Sequence, residues 1–211
     1  MDVDILLYDG FDELDGIGPY EVFDYALEYA GDDDRTAGRV RYVALDERET
    51  VTASHGTRVG IDGTLPEPDD EAAPDLLVVP GGGWNARDEE ASAWAEAQKG
   101  AIPRTLTAYH AAGTRIASVC TGSMLLAEAG VTKGRRAVTH AAAVDELRES
   151  GAEVVEARVV DDGNLLTAGG VTSGLDLALY LVELEFGADV ADRVATVIEY
   201  DRQHEVAVET A

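Results

Sequence analysis

Arg115-Ile116-Ala117-Ser118-Val119-Cys120-Thr121-Gly122-Ser123-Met124-Leu125-Leu126-Ala127 holds the only cysteine of the chain, and its reading decides the fold. The apolar run Ile116 to Val119 reads as a fully buried parallel strand and Ser123 to Ala129 as a helix, which puts Cys120 on the turn between them. A tight strand-to-helix turn of this kind is a nucleophile elbow: it holds the side chain out at the carboxyl end of a sheet, with the N-terminus of the next helix aimed at it. Such a helix end favours thiolate, the reactive form of cysteine. On this stretch alone, a small buried core residue is an equally good reading of Cys120.

Working outward, Leu76 to Val79 is a second buried strand, and Pro80-Gly81-Gly82-Gly83 after it brings backbone N–H groups close to any ligand. A glycine N–H from this turn together with the Thr121 N–H makes a candidate oxyanion hole. Near the start, Leu14-Asp15-Gly16-Ile17-Gly18-Pro19-Tyr20-Glu21-Val22 follows the first strand and places Asp15 just ahead of a helix whose first residue can be Pro19. Three strand ends thus converge on the cysteine.

The rest of the chain alternates strand and helix. Val3 to Tyr8 reads as a strand, Pro19 to Tyr29 as a helix stopped by Gly31, Gly31 to Gly38 as an acidic loop, Val40 to Leu45 as a strand and Thr50 to Ile61 as a β-hairpin. A Pro- and acid-rich connection, Pro66 to Pro74, leads to the strand Asp75 to Val79. Asp88 to Gln98 and Ile102 to Ala112 read as helices broken by Gly100 and Pro103. After the elbow come a strand at Arg136 to Thr139, a helix at Ala142 to Ser150, strands at Ala157 to Val160 and Leu165 to Ala168, and helices at Thr172 to Phe186 and Ala188 to Glu199. The pattern predicts an α/β chain: a flavodoxin-like three-layer sandwich, mostly parallel, with helices on both faces and ligands at the carboxyl ends of its strands. With no linker, repeat or low-complexity tract, residues 1–211 are expected to form a single domain.

Composition narrows the function. Against 42 Asp and Glu stand 16 Lys and Arg, a formal charge of −26. That field repels phosphate backbones and anionic membranes, so no nucleic-acid or membrane partner is expected. It suits a cytoplasmic protein of a halophile, because near ~1 M salt the screening length falls to about 3 Å and self-repulsion largely vanishes. One cysteine makes no intramolecular disulfide, the N-terminus enters a strand without the basic and apolar regions of a signal peptide, and no apolar run approaches ~18 residues. The Gly81-Gly82-Gly83 run lacks the lysine of a phosphate loop and the spacing of a dinucleotide fingerprint, so no cofactor is expected, and no metal.

Leu14-Asp15 with Gly18-Pro19-Tyr20-Glu21-Val22, Pro80-Gly81-Gly82, Ser118-Val119-Cys120-Thr121-Gly122-Ser123, Val138-Thr139-His140, the run from Asp162-Gly163-Asn164 to Gly174, and Ile198-Glu199-Tyr200-Asp201 together resemble the ThiJ/PfpI superfamily, with the class I glutamine amidotransferase-like fold, and within it the isonitrile hydratase-like branch. The resemblance spans nearly the full length in family order. It implies that Cys120 is a nucleophile and that Asp15 stands where the superfamily places an acid against the cysteine, the two sharing a proton and titrating as a unit. It implies roles for Thr121, through its N–H toward an oxyanion and its hydroxyl toward substrate or water, and for Gly82 as the second oxyanion donor. Gly81, Gly83, Trp84, Ile17, Tyr20 and His140 are the candidate pocket residues; His140 reads equally as a structural histidine, and the large apolar residues equally as core. His55, His110 and His204 read as surface or packing residues. Proteolytic members carry histidine directly after the cysteine, where this chain has Thr121, so a papain-like relay is not implied. The implied activity is small-molecule hydration of an isonitrile, with glyoxalase or deglycase, amidase or protease activity, and a non-catalytic stress or chaperone role, as alternatives. A homodimer is implied by resemblance. The sensor half of AraC-type regulators is also similar, but with so few residues after Asp201 no appended helix-turn-helix domain is expected.

Overall fold

The computed structural model describes residues 1–31 and 38–208. In chain order the elements are β1 (Asp2–Leu6), α1 (Glu13–Gly31), β2 (Arg39–Ala44), β3 (Thr50–Thr52), β4 (Arg58–Gly60), β5 (Gly63–Thr64), β6 (Leu76–Val79), α2 (Ala93–Lys99), α3 (Ala101–Ala111), β7 (Arg115–Val119), α4 (Gly122–Glu128), β8 (Arg136–Ala137), a 3-10 turn (Ala141–Ala143), α5 (Val144–Glu149), β9 (Glu153–Val154), β10 (Val159–Asp162), β11 (Leu165–Ala168), α6 (Ser173–Phe186), α7 (Ala188–Val197) and β12 (Val206–Val208).

The main sheet runs β12-β10-β11-β7-β6-β1-β2-β5, with every neighbouring pair parallel except β10 and β11. Helices α1, α6 and α7 pack together on one face, and α2, α3, α4 and α5 cover the other. The three-layer α/β architecture expected from the alternation is the one observed. Its central strands β6 and β7 carry Leu76, Leu77, Val78, Val79, Ile116, Ala117 and Val119, all essentially without solvent exposure, as a sheet covered on both faces requires. Because β7, β6 and β1 are adjacent in that order, the loops after their carboxyl ends stand side by side. No described helix is long and apolar enough to cross a membrane.

Several boundaries differ from those expected, each for a local reason. Helix α1 begins at Glu13, six residues before Pro19, because Asp12 caps it: its Oδ1 accepts the Leu14 N–H at 3.3 Å and its carbonyl accepts the Asp15 N–H at 3.1 Å. Asp15 therefore sits in the first turn of the helix, not ahead of it. Pro19 lies inside the helix and removes only the N–H that would have bonded the Asp15 carbonyl. The helix expected from Asp88 starts at Ala93, where Ser92 Oγ accepts the Ala95 N–H at 3.1 Å. Gly100, at φ 74°, makes the next break, and Pro103 is absorbed in the first turn of α3, where no N–H is needed. The strand expected at Arg136 to Thr139 stops at Ala137 because the Val138 N–H goes to Thr167 Oγ1 at 2.9 Å. The pairing of Asp162 with Leu165 makes Gly163-Asn164 a two-residue hairpin turn, which shifts β10 toward it. The expected β-hairpin is present as β3 and β4. Strand β12, parallel to β10 at the sheet edge, was not expected. Residues 32–37 of the expected acidic loop lie outside the described residues.

Candidate active site

Cys120 has φ 57°, a left-handed conformation that costs a non-glycine residue of order 1–3 kcal/mol unless its surroundings impose it. They do so from both sides: its N–H donates to the Ala168 carbonyl at 3.1 Å, and the Thr139 hydroxyl donates to its carbonyl at 3.0 Å. Beneath the turn, Ser118 and Ser123 share a hydrogen bond of 2.8 Å, and Ser123 Oγ donates to the Val138 carbonyl at 2.7 Å. A Cβ on Gly122 would come within 2.1 Å of the Val79 carbonyl oxygen, so the elbow lies directly on the end of β6.

Two consecutive glycines of that end hold the groups that face the sulfur. The Gly81 N–H donates to Asp15 Oδ2 at 3.0 Å, and the Gly82 N–H donates to Thr121 Oγ1 at 3.0 Å. A Cβ at Gly81 would lie 2.5 Å from both the Thr121 nitrogen and its hydroxyl, and one at Gly82, where φ is 140°, 2.4 Å from the Gly10 carbonyl oxygen. Neither position tolerates a side chain. Asp15 is fully buried, and its Oδ1 has no hydrogen-bond partner among the described residues; the carboxyl and the Cys120 thiol perturb each other's titration. The backbone N–H and the hydroxyl of Thr121 both act to lower the pKa of the thiol.

Burial, then the nearby Asp12 charge, raise the Asp15 carboxyl to about 8, against the opposing hydrogen bonds from Gly81 and Cys120. Burial, then the Asp15 carboxylate, push the Cys120 thiol well up, and the Thr121 donors offset only part of this. The low thiol pKa expected at a helix N-terminus is therefore not what the buried site produces: α4 is only seven residues long, and desolvation outweighs its end. Around neutrality the pair keeps both protons, and on losing one it becomes either carboxylate with thiol or carboxylic acid with thiolate. Tyr8 closes the back of the site; its hydroxyl donates to the Pro80 carbonyl at 2.9 Å, and burial, then the Asp15 charge, raise its pKa.

A cavity of about 250 Å³ opens over the sulfur, lined by Cys120, Thr121, Gly82, Gly83, Trp84 and His140, with Asp12, Asn85, Ala86, Ala142 and Val171 completing it. The structure thus brings together Cys120, Asp15, Thr121 and the glycine turn, with Trp84 and His140 on the cavity wall. Trp84 is held by its indole N–H, which donates to Glu146 Oε2 at 3.1 Å, and by an edge-on contact with Trp94 at 5.1 Å. His140 Nδ1 accepts the Ala142 N–H at 3.1 Å, so the ring's other nitrogen carries its proton and Nδ1 is closed to the thiol.

Three expectations change. Ile17 and Tyr20 do not line the cavity: at 100° per residue they fall well round the helix from Asp15, and Tyr20 stacks on Tyr42 with ring centroids 4.4 Å apart. Gly81 acts through its bond to Asp15 and is not part of the wall. The Gly82 N–H is taken by the Thr121 hydroxyl; the Gly83 N–H, on the cavity wall, has no partner among the described residues. The sequence reading missed Tyr8, Asp12 and the clamp on the first turn of α1. There Glu13 accepts the His55 N–H at 3.0 Å and pairs with His55 Nδ1 at 2.8 Å, tying the tip of the β3–β4 hairpin to the helix that carries Asp15. Burial works against the Glu13 carboxylate, yet the His55 side chain and the backbone N–H groups hold it down at about 2. The Ile198-Glu199-Tyr200-Asp201 segment lies elsewhere, with the Tyr200 hydroxyl donating to buried Asp176 at 3.0 Å.

The model of the DJ-1/PfpI family matches residues 1–184. The chain belongs to the DJ-1/PfpI family. Among curated relatives, the isonitrile hydratase of Pseudomonas putida is 34% identical over 203 residues, 95% of this chain and 78% of that protein. A deglycase of Thermococcus kodakarensis is 32% identical over 168 residues, 80% of this chain and 89% of the relative. Among solved structures, a ThiJ/PfpI family protein from Pseudomonas syringae superposes with a TM-score of 0.79 at 28% identity, covering 96% of this chain and 76% of that one. Relatives of this DJ-1/PfpI chain thus include both a hydratase and a deglycase.

Proposed function

We propose that this DJ-1/PfpI protein is a cysteine-dependent small-molecule enzyme that hydrates isonitriles to N-substituted formamides. The observation that carries the reading is the pairing of a strained elbow cysteine with a buried carboxyl that remains an acid up to about pH 8, while the one histidine lining the cavity spends its Nδ1 on the Ala142 N–H. Isonitrile hydration needs this pair. The Cys120 thiolate attacks the terminal carbon of R–NC while the Asp15 acid delivers a proton to that carbon, giving the thioimidate R–N=CH–S. The ionised Asp15 then takes a proton from water as the oxygen adds to the same carbon and passes it to the nitrogen, and the tetrahedral species R–NH–CH(OH)–S–Cys120 breaks its C–S bond, its hydroxyl proton going to the departing sulfur, to leave R–NH–CHO and the singly protonated pair. Thr121, whose N–H and hydroxyl favour the thiolate, and the Gly83 N–H are the donors for the polar intermediates. The 34% identity with an isonitrile hydratase supports the same reading.

Deglycase or glyoxalase chemistry is the second reading, favoured by the relative of Thermococcus kodakarensis, because a thiol and an acid also suit addition to an aldehyde. Cyclohexyl isocyanide, methylglyoxal and a peptide amide, offered in multimolar KCl, separate the two. Formamide release from the isonitrile supports hydration, and turnover of methylglyoxal alone overturns it.

A further inference from the structure

Among the described residues no lysine or arginine lines the cavity, and besides Cys120 only Asp12 and His140 can carry a charge there. Asp12 is fixed in place by its own backbone. Its N–H donates to the Gly81 carbonyl at 2.8 Å and its carbonyl accepts the Asp15 N–H at 3.1 Å, so it bridges the acid and the glycine turn. One carboxylate oxygen caps α1 through the Leu14 N–H at 3.3 Å, and no hydrogen bond to the other is found among the described residues. His55, whose pKa is raised chiefly by its hydrogen bond to Glu13, is engaged by that carboxylate at 2.8 Å. A fixed carboxylate therefore stands on the wall of the same cavity as the nucleophile.

We propose that Asp12 is a specificity-determining residue that closes this site to carboxylate-bearing substrates, leaving uncharged isonitriles as its substrate class; the isonitrile part rests on the reading above. A carboxylate on the bound molecule would share a low-dielectric pocket of about 250 Å³ with Asp12 and find no lysine or arginine there to offset it. The overall charge of −26 does not substitute for this contact. In molar salt the screening length is about 3 Å, so only a charge lining the cavity itself discriminates between ligands. Asp12 also contributes, after burial, to raising Asp15, an independent sign that its field penetrates to the reacting pair.

The sole cysteine makes the test direct. Rates of Cys120 alkylation by iodoacetamide and by iodoacetate are followed by intact mass in wild type, Asp12→Asn and Asp12→Ser, at fixed pH in multimolar KCl. Both variants keep an oxygen to cap α1, and any change in thiolate fraction cancels in the ratio of the two reagents. The expected result is an amide-to-acetate ratio that falls about three- to tenfold in both variants, the Coulomb effect of one charge at a partly solvated site. An unchanged ratio in either variant, with Tm retained, overturns the inference. The companion measurement is kcat/KM for methyl isocyanoacetate against isocyanoacetate, where loss of Asp12 improves the acid relative to the ester. Alkylation does not depend on turnover, so a shifted ratio without formamide production sinks the hydratase reading and leaves the charge selection standing.

Discussion

Replacing Asp15 by Asn should stabilise the protein, and more so as pH rises. Asp15 is fully buried, and its carboxyl is raised from an ordinary 3.8 to about 8. Between those values the folded chain keeps a proton that the unfolded chain releases, so the contribution of Asp15 to stability is complete below the unfolded value and is lost as pH climbs through the folded one. Each pH unit inside that window removes about 1.4 kcal/mol, flattening near pH 8, so wild type loses roughly 2 kcal/mol between pH 6 and pH 8 from this group alone. Asn has the same shape, accepts the Gly81 N–H and does not titrate. The two proteins differ in no other ionisable group, so their stability gap isolates Asp15. Urea unfolding of both, at pH 6, 7 and 8 in one KCl concentration, should give a gap in favour of Asp15→Asn that widens by roughly 2 kcal/mol over the series. A gap constant with pH would refute the reasoning, because it would mean that the buried carboxyl titrates as it does in the unfolded chain.

The same shift sets the pH dependence of activity: the singly protonated pair is the reactive one, so log kcat/KM for cyclohexyl isocyanide should rise with unit slope up to about pH 8 and then level off, and a profile flat from pH 6 to 8 would contradict it. Glu13→Gln removes a carboxylate whose stabilisation is present above the ordinary 4.5 and is lost only as pH falls toward about 2. After discount for solvent screening it should cost about 1 kcal/mol at pH 7 and nothing near pH 2, and it should also lower kcat by loosening the turn that carries Asp15, read by denaturation and by steady-state kinetics. With a charge of −26, Tm should climb steadily with KCl into the molar range, and sizing chromatography in that salt should give a dimer; a Tm independent of salt or a monomeric elution would count against the halophilic and dimeric expectations respectively.

The layers of the fold and the elbow were legible because buried parallel strands write themselves as unbroken apolar runs, as at Leu76 to Val79 and Ile116 to Val119. The start of α1 was not, since Pro19 is a strong local signal for a first helical residue while the Asp12 cap looks like one acid among many in so acidic a chain. Strand β12 has three residues and exists by pairing with β10, so nothing local marks it. Cys120, Asp15 and Thr121 were named from motif positions, and the structure brings them together. The assignment of Gly82 as an open donor failed because a free N–H and one bonded to the Thr121 hydroxyl look alike in sequence. Tyr8 and the Glu13–His55 clamp were invisible for a related reason: each depends on partners more than 40 residues away along the chain. The raised thiol could not be anticipated from the elbow motif, which speaks of helix ends and not of burial.

The central claim is that Cys120 carries the substrate covalently on the way to formamide. The direct measurement is a single turnover with cyclohexyl isocyanide, quenched in acid and read by intact mass and by formamide yield, in wild type and Cys120→Ala. The account predicts a transient species heavier by one molecule of isonitrile in wild type, decaying as formamide appears, and neither adduct nor formamide in Cys120→Ala. Formamide formed by Cys120→Ala at the wild-type rate would contradict it.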